Sequence, residues 1–202
     1  MKIEDVKKDN KGEKLQFKIK DIDLSFVNTI RRLCTESVPV LAVDTVEFSK
    51  NDSVLYDEIV AHRIGLVPLK TNVKSFKQRE ECTCDGKGCN KCTVKIKLAV
   101  KGREVSSKDM KSSGVEIPYD LPLTKLTEEQ ELEFVAEAVL GTGKEHAKFI
   151  PGLVFHTYDD NEKEITIHVE GWGQMKPQEI LLSASDVFSK KLKEVDKVLE
   201  KA

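Results

Sequence analysis

With 202 residues, 33 of them Lys or Arg and 35 Asp or Glu, the chain carries a formal net charge of −2. That balance argues against a dominant grip on nucleic-acid phosphates, which rests on clustered excess positive charge. No apolar run approaches the ~20 residues that cross a bilayer, and the opening MKIEDVKKDNKGEK lacks the apolar segment of a secretory leader, so a cytoplasmic protein is expected.

In chain order, Leu15, Phe17 and Ile19 alternate with Gln16, Lys18 and Lys20. Residues 2–20 therefore read as a strand or hairpin with one solvated face, turning at Asn10-Lys11-Gly12. The period then becomes helical. Phe26, Val27, Ile30, Leu33, Cys34 and Val38 gather on one stripe; Asp23 or Ser25 can cap its start and Pro39 stops it. Arg31 and Arg32 fall off that stripe. Residues 40–48 alternate as a strand, Asn51-Asp52-Ser53 marks a turn, and residues 56–63 read as a short helix with Ile59 and Val60 facing in, broken by Gly65 and Pro68. Residues 70–81 are a polar connection. Beyond the cysteines, Val94, Ile96, Leu98 and Val100 alternate with lysines as another strand. Residues 106–114 read as a loop, and 117–123 are held extended by Pro118 and Pro122.

After Thr127 the apolar residues Leu132, Phe134, Val135, Ala136 and Val139 suit neither period. Residues 149–155 and 165–169 flank a hairpin turn at Asp159-Asp160-Asn161. Pro177 opens the last helix, whose stripe of Ile180, Leu181, Ala184, Val187, Phe188, Leu192, Val195 and Leu199 runs for about 33 Å at 1.5 Å per residue. A helix that long outruns a domain this small. Its apolar face either crosses its own sheet or meets another chain, and the pattern leaves both open.

Four of the five cysteines lie within eleven residues, as Cys82-x-Cys84-x4-Cys89-x2-Cys92. In an unexported protein that spacing favours metal over disulfides. Four thiolates can close a tetrahedral shell around one structural zinc, leaving no open position for catalysis; an iron–sulfur cluster is the alternative, and a reduced or disulfide-bonded loop remains open. Gly86 and Gly88 let the backbone fold back, and Lys87 and Lys91 offset the charge of a zinc tetrathiolate. Cys34, on the helix stripe, reads as core. His62, His146, His156 and His168 have no metal-ligand spacing. Gly141-Thr-Gly-Lys144 lacks the spacing of a phosphate-binding loop, Asp159-Asp160 lacks the aspartate triad of a polymerase centre, and no nucleophile with a paired base is found.

NTIRRLCTESVPVLAVDTVEF at 28–48, DEIVAHRIGLVPL at 57–69, the cysteine loop at 82–92, GKEHAKFIPG at 143–152 and the closing helix resemble, in that order, the D-type subunits of archaeal RNA polymerase. The wider family includes the bacterial α subunit and the eukaryotic third-largest subunit. The resemblance implies an α+β fold: a split dimerisation domain of residues 1–50 and 147–202, a sheet with two helices, interrupted by a mostly β insert domain of residues 51–146 that carries the metal loop. It makes the segment after Thr127 a strand. It implies a non-catalytic assembly subunit of a DNA-directed RNA polymerase, with nucleotidyl transfer carried out by other chains. A heterodimer with the small, L-type subunit is expected through Ile30, Leu33, Leu181, Phe188, Leu192 and Val195. Arg31 and Arg32 are expected to face the large catalytic subunits, and His146 and Lys148 are candidate contacts to one of them. Small N- and P-type subunits would attach as well, DNA would be met only through the holoenzyme, and no membrane is involved. In some archaeal members an iron–sulfur cluster sits in an additional domain for which this chain is short. Two departures stand out: Lys176 precedes Pro177 where a better cap is usual, and no bacterial-type C-terminal DNA-binding domain is expected. The rival reading is a zinc-loop adaptor acting outside polymerase.

Overall fold

A computed structural model describes residues 1–158 and 164–201, so the turn expected at Asp159-Asp160-Asn161 lies outside the described residues. The elements in chain order are β1 Lys2–Lys8, β2 Lys14–Lys20, α1 Leu24–Glu36, β3 Val40–Asn51, α2 Asp57–Gly65, β4 Thr93–Lys101, β5 Glu104–Ser106, β6 Lys111–Ser112, β7 Pro122–Lys125, β8 Glu131–Gly141, β9 Gly152–Tyr158, β10 Glu164–Gly171 and α3 Pro177–Leu199. They form a mixed α and β protein with antiparallel sheets, in two compact units: Met1–Pro39 with Thr142–Ala202, and Val40–Gly141.

The first unit holds a four-stranded sheet in the order β1-β2-β10-β9. The alternation in β2 decides its register. Leu15, Phe17 and Ile19 stand opposite Val169, Ile167 and Ile165, so every apolar residue of both strands shares one buried face. The other face carries lysines and acids; Lys20, for instance, bridges Glu164 at 2.8 Å and Glu4 at 3.1 Å. Helix α1 starts at Asp23, whose carboxylate accepts the Ser25 N–H at 2.7 Å. It buries Val27, Leu33 and Cys34 and ends at Ser37, just before Val38 and Pro39. Burial pushes the Cys34 thiol up to about 12, as suits an inert core residue. Phe26 and Phe188 meet edge to face, 6.2 Å between centroids, where α1 lies against α3. The start of α3 is sounder than Lys176 suggests: the Glu179 carboxylate accepts the Lys176 N–H at 3.0 Å, and Pro177 is the first helical residue.

The chain re-enters this unit at Thr142. Lys144 donates its N–H to Glu36 O at 3.1 Å, capping the last turn of α1. Gly143 passes so close that a Cβ there would lie 2.0 Å from Thr35 O. Gly143 and Lys144 of the Gly-Thr-Gly-Lys sequence thus close a helix end.

The second unit holds a four-stranded sheet in the order β3-β8-β4-β6 and a small β5-β7 ribbon. Its core gathers Leu41, Val60, Ile64, Leu69, Ile96, Leu123, Leu132 and Phe134. The segment after Thr127 forms β8, an interior strand with long partners on both sides, β3 and β4. Leu132, Phe134, Ala136 and Ala138 line its buried face. Three expectations need correction. Helix α2 runs over Asp57–Gly65 and buries Val60 and Ile64, whereas Ile59 is 46% exposed; the inward positions are spaced i, i+4. Residues 106–114 are more than a loop, since they include a 3-10 turn at Ser107–Asp109 and the short β6. The unit boundaries fall at residues 39/40 and 141/142, where 50/51 and 146/147 were expected, because β3 pairs with β8 from Val40↔Gly141 to Asn51↔Leu132. No described helix is long and apolar enough to cross a membrane.

Candidate metal centre and assembly residues

Four cysteine sulfurs converge on one loop of the second unit. Cys82 follows a 3-10 turn at Arg79–Glu81, and Cys92 immediately precedes β4. Tight turns bring the thiols together: Asp85 donates its N–H to Cys82 O (3.2 Å), Lys87 to Cys84 O (3.1 Å), and Cys92 to Cys89 O (2.9 Å). Gly86 and Gly88 have φ of +75° and +84°, a region glycine enters without steric cost. The sulfurs of Cys82 and Cys89 lie 3.6 Å apart, those of Cys84 and Cys92 3.6 Å, and those of Cys89 and Cys92 3.9 Å. All four fall within 4.8 Å of one another. Four sulfurs held ~2.3 Å from one central ion at tetrahedral angles are about 3.8 Å apart, so the donor set fits a single metal ion. Among the described residues it is the one group of three or more His, Cys, Asp or Glu whose ligand atoms converge. Burial opposes ionisation of Cys92, yet the Cys89 N–H and the Thr93 hydroxyl on its sulfur bring the thiol down to about 6.

The loop is anchored by a residue that sequence reasoning missed. Arg79 donates to Glu137 of β8 at 2.7 Å and to the Thr93 hydroxyl at 3.3 Å. A Cβ on Gly88 would stand 3.3 Å from Thr93 Oγ1 and 3.5 Å from Arg79 Nη2, so the loop packs closely on this pair. Arg79 lies in a polar stretch without period, and nothing in its local sequence marks it. Gly143 was overlooked as well; its close approach depends on a helix end more than 100 residues earlier.

The expected assembly residues fall in the first unit. On α1, Leu33 is buried and Ile30 half-buried. Arg31 donates to Asn28 Oδ1 at 3.0 and 2.8 Å, and Arg32 grips the Glu36 carboxylate with two bonds of 3.1 Å. On α3, Leu181 and Phe188 are half-buried. Leu192 and Val195 are 49% and 53% exposed, and residues 189–200 are exposed on every face. His146 and Lys148 share one 3-10 turn: the imidazole Nδ1 accepts the Lys148 N–H at 3.0 Å, and the Lys148 ammonium lies 5.1 Å from the centroid of the Phe149 ring.

Fold and site together define an α and β protein of two units, one of them split in sequence and the other carrying a loop of four cysteines that could hold a metal ion. The family model described as the RNA polymerase Rpb3/RpoA insert domain matches residues 46–151, and the chain belongs to that family. It is 41% identical over 158 residues to DNA-directed RNA polymerase subunit Rpo3 of Methanosphaera stadtmanae, a match covering 74% of this chain and 57% of the relative. It is 38% identical to the Rpo3 subunit of Archaeoglobus fulgidus, covering 71% and 56%, and 36% identical to RNA polymerase II subunit rpb3 of Dictyostelium discoideum, covering 71% and 53%. The chain thus matches little more than half the length of these relatives.

Proposed function

We propose that this chain is a non-catalytic assembly subunit of an archaeal-type, cytoplasmic DNA-directed RNA polymerase. The relatives are subunits of such enzymes, which supports the class. The observation that carries the assembly role is the uncovered half of α3, where Leu192 and Val195 continue the buried line of Ile180 and Ala184 into solvent. In this reading the first unit is the dimerisation unit. Residues of α1 and α3, with Ile30, Leu181, Phe188, Leu192 and Val195 foremost, meet a smaller, L-type subunit, and Leu33 supports α1 from beneath. Arg31, Arg32, His146 and Lys148 then face the large catalytic subunits, and N- and P-type small subunits join the platform. DNA is met through the assembled enzyme.

In the same reading the second unit takes one structural zinc on Cys82, Cys84, Cys89 and Cys92. Zinc is favoured over an iron–sulfur cluster because a cluster spreads its cysteines over several metal atoms, whereas these sulfurs surround one position. The metal supplies ordering to a loop that buries little apolar surface. Elemental analysis of anaerobically purified protein should give one zinc per chain; stoichiometric iron and sulfide would overturn the zinc assignment.

Reconstitution from separate subunits, followed by size-exclusion chromatography, tests the assembly role. Co-expression with the small subunit should give a one-to-one heterodimer that melts above the isolated chain, since a partner that binds only the folded state raises stability by roughly 4 kcal/mol at a thousandfold excess over Kd. Replacing both Arg31 and Arg32 by Glu should spare the heterodimer and block recruitment of the large subunits. A well-behaved monomer that gains nothing from the partner would favour the adaptor reading instead.

A further inference from the structure

The outward face of the second unit's sheet contains three lysines that enter no ion pair among the described residues. Lys95 and Lys97 lie on the same face of β4, about 6.8 Å apart along the strand. Lys111 of β6 is the cross-strand partner of Lys97, which sets their Cα atoms about 5 Å apart. All three side chains are exposed. Like charges placed directly opposite destabilise an antiparallel pair, and the neighbouring strand does not compensate. Glu137 stands opposite Lys95, but its carboxylate is committed to Arg79 at 2.7 Å. Val135 stands opposite Lys97, and Glu133 faces Ala99. Among the described residues the ion pairs of this unit use Lys50, Lys70, Arg79, Lys101, Arg103, Lys108 and Lys125; none includes the three lysines. A guard against edge-to-edge pairing explains Lys111 on a short edge strand. It also covers Lys95, where β4 has no β6 partner, but not Lys97, which is paired on both sides, with Val135 of β8 and Lys111 of β6.

We propose that Lys95, Lys97 and Lys111 form a docking strip for an extended acidic segment of a partner protein. An extended chain with carboxylates at alternate positions repeats every ~6.8 Å, matching Lys95 and Lys97, and a neighbouring acid reaches Lys111. A nucleic acid fits less well. The cross-strand neighbours offer Val135 and no aromatic ring on which a base could stack, and the chain as a whole is net negative. The strip lies outside the helices assigned to subunit pairing, so its test and that of the assembly role fail independently.

The probe is a fluorescent peptide alternating Glu and Thr over eight residues, titrated with the full chain and read by anisotropy at low salt. Binding should weaken steeply as salt rises. Substituting Lys95, Lys97 and Lys111 together by Ala should lower affinity at least tenfold, whereas K101A with K125A should leave it unchanged. Lys111→Glu separates the strip from a merely structural arrangement: it turns the opposed like charges into an ion pair, so the melting temperature should rise while peptide affinity falls. A wild-type chain that does not bind the peptide, a triple variant that binds as well as wild type, or tighter binding of a single-stranded oligonucleotide of equal charge would each overturn the proposal.

Discussion

Two single residues carry measurable consequences. Gly143 runs against the last turn of α1, and a methyl group there would meet a backbone oxygen at 2.0 Å. Backbone cannot yield as a flexible side-chain end can, so Gly143→Ala should cost at least about 2 kcal/mol in urea unfolding, a large overpacking effect. A loss below about 0.5 kcal/mol, the range of ordinary surface substitutions, would show that the cap can re-form elsewhere. Glu131 bridges Lys101 and Lys50, both at 2.8 Å, and the two hydrogen-bonded ammonium groups bring its carboxyl from 4.5 down to about 2. Folding therefore favours the ionised form. The contribution is complete above about 4.5 and is lost as the pH falls toward about 2. Glu131→Gln should melt below wild type at pH 6, and the two melting curves should converge near pH 2; a difference that persists at pH 2 would mean that lost packing is responsible.

Among the elements, α3 divides into a buried half and an exposed half. Ile180 and Ala184 are fully buried, so Ile180→Asp should prevent the first unit from folding, because an unpaired charge in an apolar site costs several kcal/mol. Leu192→Asp falls where the helix has no cover. It should leave the isolated chain within about 0.5 kcal/mol of wild type and abolish capture of the small subunit in a pull-down. Equal destabilisation by the two variants would mean that the exposed half is held by its own unit. The stripe that defines α3 was legible in the sequence, because a 3.6-residue period survives whatever covers it. Where the cover stops was not legible, since that depends on the length of a sheet formed by strands at both ends of the chain. Strand β8 was obscured for another reason: Val135 and Val139 on its outward face blur the alternation that Leu132, Phe134, Ala136 and Ala138 would otherwise show. Ile59 was misplaced because both Ile59 and Val60 are apolar and a nine-residue helix is too short for its period to decide between them. At the metal loop the four cysteines were fully readable from spacing; the Arg79–Glu137 anchor was not, because it joins residues on different elements.

For the molecule as a whole, the central fact is that one compact unit is written in two pieces with another between them. Both ends of the interruption are close. Val40 and Gly141 are cross-strand partners, and within the other unit Glu36 and Lys144 are hydrogen-bonded. This adjacency bears on the time course of folding. Bringing together the two pieces of the first unit across an unstructured excursion of about 100 residues costs roughly 4 kcal/mol of closure entropy, growing with the logarithm of its length. Once β3 and β8 have paired, the excursion contracts to a single cross-strand step. The inserted unit then acts on its host as an intramolecular clamp, and the host's refolding rate should follow the stability of a sheet to which it contributes no strand.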